Sequence, residues 1–341
     1  MRRRAFLRVL GGGLLGGGAL GLAGLSLLRR PAAAGLLPPL EPGAGAGAGA
    51  RDSGAERLYL VERWSWAMGQ PVHLRLFAES EAAGYEAAQA ALAELRRVEA
   101  RLSLFDPASD LSELNRRAGR RWMRLDRDLA CVLAASLRFR RVTGGAFDPA
   151  VEPLMRAWGF HAPRRTEPGP AEIAEARRAV RAARVVLRGE RAELATRETQ
   201  LDFGGIGVGY GLDCAVAVLR RAGITRAFLD VSGDCYALGA PPGEAGWLVE
   251  VADPRRPGRT IAATRLRDAA LATSANTVSV VRFGRALRGH VMDPATGWPA
   301  DALVQATVVA RTGIEADALS TAMLVSGRPA PGVLRAFRYP A

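Results

Sequence analysis

The chain contains no lysine: its basic side chains are all arginine, and they outnumber the acids to leave a formal net charge of +13 over 341 residues. The absence excludes a Walker phosphate loop, which ends in Gly-Lys-Ser/Thr. A uniform Arg-for-Lys bias also reads as a property of the source genome, so the charge says little about function. The arginines are scattered without interleaved aromatics, which argues against nucleic-acid binding. Histidine is scarce, with only His73, His161 and His290. His73 falls in a strand pattern and His161 in a loop, neither with an acidic or cysteine partner nearby in sequence, so a histidine-built metal site is not expected. The three cysteines, Cys131, Cys214 and Cys235, show neither CxxC nor zinc-knuckle spacing. Their default reading is small buried hydrophobes, although an oxidising compartment would permit a Cys214–Cys235 bridge. GxSxG, SxxK and Cys/His arrangements are missing too, which removes support for hydrolysis through a serine or cysteine nucleophile.

What is present begins with an unusual amino terminus. Arg2-Arg3-Arg4-Ala-Phe-Leu precedes a Gly/Ala/Leu-rich run ending near Leu28. The arginine pair and modest hydrophobicity resemble a twin-arginine export signal, assigned to residues 1–35. The run is also near the length of a bilayer span, so an uncleaved signal would tether the protein. Residues 36–56 are rich in Pro, Gly and Ala and read as a linker. Residues 57–341 form the folded domain. It is expected to be α+β, in two parts, with a mixed or antiparallel sheet core. Leu58–Trp66 and Pro71–Ala78 read as a hairpin, and Glu79–Ser103 and Asp126–Val142 as amphipathic helices. Ser109 and Ser112 are candidate helix caps, and Glu167–Ala183 is a peripheral helix. Strands are expected at Val185–Leu187, Leu201–Phe203, Phe228–Val231, Trp247–Val251, Val278–Arg282, His290–Met292 and Val304–Val309, interrupted by helices near 206–222 and 314–326.

The chain is organised around Leu201–Asp213, LDFGGIGVGYGLD. An apolar stretch runs into Gly204, Gly205, Gly207 and Gly209, and a helix follows. Such a bend lets a ligand approach the backbone, and exposed N–H groups at a helix start suit an anion. A ligand-free tight turn explains it equally well. Tyr210 stands where a dinucleotide fingerprint counted from Gly205 needs its last glycine. Asp317 and Thr321 are four apart on one helix face and offer two oxygens to a hard cation such as Mg²⁺; Asp317 could equally complement the helix dipole. His290 is a candidate general base or a structural hydrogen-bonding residue. Asp148 and Asp202 could accept from a heterocycle or fix loops.

Taken in order, Met68-Gly69, LSLFDPASDLSELN (102–115), TGGAFDPAVEPLMRAWGF (143–160), LDFGGIGVGYGLD (201–213), VSGDCYALG (231–239), ATSAN (272–276), HVMDPATGWP (290–299) and EADALSTA (315–322) resemble the FAD:protein FMN transferases of the ApbE family. The resemblance spans roughly residues 60–327. It implies a flavin held in a cleft between two parts of the fold, and Mg²⁺-dependent transfer of FMN from FAD to a threonine hydroxyl of an exported flavoprotein, with release of AMP. The acceptor would carry a Ser/Asp-Gly-Ala-Thr type sequence. Some members instead hydrolyse FAD to FMN and AMP, and a degenerate member would bind FAD without chemistry. By position, Met68, Phe105, Ala146, Phe147, Asp148, Asp202, Val208 and Met292 would line the FAD site. Gly205, through its carbonyl, with Asp317 and Thr321 would hold Mg²⁺, and His290 would be the base. The sequence departs from the family pattern in four places. Val208 stands where many members carry Lys or Glu, Ser320 replaces an acid found in some, and Ala275 replaces a common glycine. The tail after Ser326 is short enough to predict loss of a final strand.

Overall fold

The computed structural model describes residues 58–340; the export signal and linker assigned from sequence lie outside them. Strands β1 (Tyr59–Ala67) and β2 (Gln70–Ala78) form the expected hairpin. Met68 and Gly69 close it, with φ of 56° and 69°. Two consecutive positive-φ residues match the twist of a two-residue hairpin. Helix α1 (Glu81–Leu102) follows, capped by the Ser80 hydroxyl and buried along Ala87, Ala91, Leu95, Val98 and Leu102. Ser109 caps α2 (Asp110–Arg116), while Ser112 lies inside that helix and donates its N–H to the cap. The chain continues through β3 (Met123–Arg124), α3 (Arg127–Val142), α4 (Glu152–Ala157), α5 (Pro170–Ala182), β4 (Val185–Arg188), β5 (Arg191–Leu194) and α6 (Gly207–Arg221). Next come β6 (Arg226–Val231), β7 (Asp234–Leu238), β8 (Trp247–Ala252), β9 (Thr260–Leu266), β10 (Ala269–Ala275), β11 (Val280–Phe283), β12 (Ala286–Gly289) and β13 (Leu303–Ala310). The last elements are α7 (Gly313–Ser326) and β14 (Arg335–Pro340).

Seven strands build the main sheet in the order β1-β2-β6-β7-β10-β13-β14, every neighbour antiparallel. Helices α1, α6 and α7 pack together over it and share one large core. Helix α7 is buried on nearly all sides, including Asp317 and Ser320, as expected for a helix enclosed by a sheet and another helix. On the opposite face the β8–β9 ribbon sets Trp247, Val249 and Leu266 against Phe228, Cys235 and Leu271. A third, smaller core gathers Leu154, Trp158, Ile173, Val180, Phe283 and Met292 from α4, α5, β11 and the segment after β12.

The α+β class agrees with expectation, and the sheets are antiparallel throughout. Four details differ from it. Leu201–Phe203 is not a strand, because the Asn115 side chain takes its backbone bonds: Nδ2 donates to the Leu201 carbonyl and Oδ1 accepts from the Leu201 N–H, both at 2.8 Å. The Asp202 N–H goes to the Pro149 carbonyl at 2.8 Å. His290–Met292 makes only an isolated bridge, Met292 to Pro299. The final strand is present, since β14 pairs with β13. The cysteines are free thiols, and Cys131 is exposed rather than buried.

Candidate functional site

The glycine bend and α7 meet at backbone contact. A Cβ on Gly209 would lie 2.1 Å from the Gly313 carbonyl oxygen and 2.8 Å from the Asp317 Cβ. Only glycine permits that approach. The Gly209 N–H donates to Asp317 Oδ2 at 2.9 Å. Asp213 on α6 accepts from the Gly313 and Ile314 N–H groups at 2.6 and 2.9 Å, so one helix caps the next. Burial nevertheless raises the Asp213 carboxyl to about 6, against those two N–H bonds. Tyr210, which breaks the dinucleotide fingerprint, donates its hydroxyl to Asp128 at 2.7 Å and ties α6 to α3.

One turn beyond Asp317, Thr321 faces the bend: a Cβ on Gly205 would sit 2.8 Å from Thr321 Oγ1. Ser274 on β10 places its hydroxyl 2.7 Å from Ser320 Oγ and 3.2 Å from Thr321 Oγ1. Asp234, at the start of β7, accepts from the Thr273 N–H at 2.9 Å. Its carboxyl is raised by burial and then by the charge of Asp317. Burial likewise raises Asp317 to about 7, opposed by N–H groups of Gly209 and Val208. Asp317 lies beyond the first turn of its own helix, where Glu315 sits, and instead accepts from first-turn N–H groups of α6. The three residues assigned to Mg²⁺ lie together, and the structure adds Asp234 and Ser274, which no local pattern singles out. The donor atoms placed here are carboxylate and hydroxyl oxygens. A buried carboxyl beside a half-buried one, both resisting ionisation, suits a hard divalent cation, whose charge would offset both.

A second group adjoins the start of the bend. Asp202 Oδ1 accepts from the Gly204 N–H at 2.7 Å. The His290 imidazole is half-buried, and desolvation lowers its pKa against a Ser279 backbone hydrogen bond and the Asp202 charge, so the ring is neutral near pH 7. Its Nδ1 has no partner among the described residues. Phe160 approaches it edge-on at 6.4 Å. Phe105 is 65% exposed and meets the His161 ring edge-on at 5.4 Å. Both remaining histidines have acidic partners after all: His73 Nε2 is 2.6 Å from Glu62 Oε1, and His161 stands between Glu152 and Asp202 at 3.7 and 3.6 Å. The His73 pair is made across the β1–β2 hairpin and the Asp202 contact across the fold, so neither shows as adjacent residues in the sequence.

The other assigned residues are less uniform. Met68 has a left-handed backbone held by Glu99, whose carboxylate accepts from the Met68 and Gly69 N–H groups at 2.9 Å each. Strain of this kind clusters at ligand sites. Asp148 accepts from the Ala150 N–H at 2.9 Å and pairs with Arg140 at 2.9 Å, while burial raises its pKa. Ala146 is half-buried, and Phe147 and Val208 belong to the main core. The Met292 side chain is committed to the third core. The Phe147, Val208 and Met292 side chains are thus occupied in packing. Ala275 lies in regular strand opposite Gln305, so its position does not require glycine. Ser320 is buried and bonded to Ser274 and to the Asp317 carbonyl.

A family model described as the ApbE family matches residues 68–337. The FAD:protein FMN transferase of Treponema pallidum is 29% identical over 313 residues, covering 84% of this chain and 86% of the relative. That of Haemophilus influenzae is 29% identical over 243 residues, covering 68% and 70%. Among solved structures, the ApbE protein of Thermotoga maritima superposes with a TM-score of 0.72 at 29% identity, covering 78% of this chain and 87% of the other. The apo flavinyl transferase ApbE of Pseudomonas stutzeri gives 0.69 at 25% identity, covering 79% and 85%.

Proposed function

The chain belongs to the ApbE family, and from that premise we propose that it transfers FMN from FAD to a threonine hydroxyl of a partner flavoprotein and releases AMP. The observation that carries this reading is the oxygen cluster at the glycine bend, where buried Asp317 and half-buried Thr321 meet Gly205 beside Asp234. These residues would hold Mg²⁺, which when bound supplies positive charge to a diphosphate.

Around that cluster, the chain's own residues have distinct tasks. The glycine bend lets the diphosphate approach the backbone. Phe105, Asp202, Asp148 and the Ala146–Phe147 and Met292 backbones would orient FAD in a cleft between the two parts of the fold, with Met68 at its edge. His290, kept neutral by burial, would take the proton of the acceptor hydroxyl. The threonine oxygen then bonds to the FMN phosphorus, the P–O bond to AMP breaks, and AMP leaves with the electron pair. The acceptor would carry a Ser/Asp-Gly-Ala-Thr type sequence. The arginine pair Arg3-Arg4 supports export to the periplasm or cell envelope, where an uncleaved leader would act as a tether.

The test is to incubate the protein with FAD and Mg²⁺, with and without an acceptor peptide, and to measure AMP and peptide mass. Covalent FMN on the peptide threonine is expected. AMP formed equally without acceptor would identify an FAD pyrophosphatase, and FAD retained without any AMP a binding protein. Asp317→Ala should abolish AMP release; unchanged turnover would remove the metal assignment.

A further inference from the structure

His161 is assigned no role by the resemblance, yet it touches two residues that are. Its Nε2 lies 3.6 Å from Asp202 Oδ2, and its ring meets Phe105 edge-on at 5.4 Å. The preceding residue, Phe160, is the aromatic neighbour of His290. This segment is anchored rather than loose: the fully buried Trp158 donates its indole N–H to the Gly297 carbonyl at 2.8 Å. Behind His161 stands Glu152, 3.7 Å from Nδ1, with its own side chain 2% exposed and held by Arg156 at 2.7 Å. The His161 and Asp202 side chains are only 11% and 12% exposed. His161 Nδ1 is buried without a hydrogen-bond partner among the described residues, a costly state unless the geometry tightens.

We propose that His161 is a positioning residue for FAD binding: backed by Glu152, it fixes the Asp202 carboxylate so that its free lone pairs point at the FAD heterocycle. The carboxylate has about four acceptor sites. Oδ1 is engaged by the Gly204 N–H and Oδ2 faces His161, which together fix its plane and leave the remaining lone pairs for ligand N–H groups. The same ring supports Phe105 from the side, so one residue sets both a polar and an aromatic contact. The proposal rests on the FAD reading above.

The experiment measures FAD affinity of the full chain without metal, by flavin fluorescence in EDTA, and separately AMP release with Mg²⁺. His161→Ala should weaken FAD binding about tenfold, the scale of one hydrogen bond to a charged group. It should raise the KM for FAD by a similar factor and leave kcat within about twofold. His161→Gln keeps a donor near the Nε2 position and should restore most of the affinity. In an Asp202→Ala background, adding His161→Ala should cost little more, because the partner is already gone. Wild-type affinity in His161→Ala, equal loss in His161→Gln, additive losses in the double variant, or a fall in kcat alone would each overturn the proposal. A wild-type chain that binds no FAD in EDTA would overturn this proposal, and one that also neither binds FAD nor releases AMP with Mg²⁺ would overturn the functional reading.

Discussion

Asp317 and Thr321 could be picked out of the sequence because both sit on one helix and the 3.6-residue period brings them to one face. Asp234 could not, since its relation to Asp317 is made between a strand and a helix across the core. Ser274 and His161 escaped for the same reason. Gly205 was legible as part of a glycine-rich run, but the reason for its lack of a side chain is the Thr321 hydroxyl beside it. In Gly205→Ala the new methyl would meet Thr321 Oγ1 at 2.8 Å and force that half-buried side chain to turn away. We expect the Mg²⁺ concentration for half-maximal AMP release to rise by about tenfold or more, with little change in melting temperature. A titration of AMP release against Mg²⁺, paired with a thermal melt, checks both.

At the scale of elements, the crossing of α6 and α7 is the constraint on which the site depends. Gly209→Ala pushes a methyl into the Gly313 carbonyl, and backbone cannot rotate aside as a side chain can. A loss of about 3 kcal/mol in unfolding free energy is expected from such overpacking, together with loss of AMP release, as read by urea denaturation and turnover. The Asp213 cap on α7 gives a pH dependence. Its folded value of about 6 lies above the unfolded carboxyl value of about 3.9. The native state therefore binds the proton more tightly, so this contribution is full below about pH 4 and is lost as pH rises through about 6. The stability of the wild type relative to Asp213→Asn should fall over that window by on the order of 3 kcal/mol; denaturation curves for both proteins across it give the difference directly. Long amphipathic helices such as α1 were legible because their burial repeats locally. The Leu201–Phe203 segment was misread as a strand because an apolar run does not reveal that Asn115 satisfies its backbone.

Over the whole molecule, one antiparallel sheet carries a core on each face, a third core sits apart from it, and the sheet's carboxy-terminal edge is the strand that the short tail had argued against. β14 pairs along β13 from Leu303 to Val309, and Phe337 packs against the core beneath the β8–β9 ribbon. Ending the chain after Leu334 would uncover the β13 ladder. We expect a loss of about 2 kcal/mol, or roughly 5 °C in melting temperature, and self-association through the bare edge, measured by thermal melts and light scattering. The α+β class was legible from helices early and strands late. The strand order was not, because β10 is built of small residues with weak strand preference and β9 exposes Ile261 and Ala263 while burying Thr264, which spoils its alternation.

By itself the sequence determined the local matters: the hairpin at Met68-Gly69, the helix periodicities, the glycine bend and the two oxygens four residues apart on α7. These follow from backbone sterics and from periodic burial, which act over a few residues. Tertiary structure alone decided which distant groups share a space: Asp234 with Asp317, Ser274 with Thr321, and His161 between Glu152 and Asp202. Those pairings are set by how the buried helices and the central strands pack, and charges buried together shift one another in ways that no stretch of sequence displays.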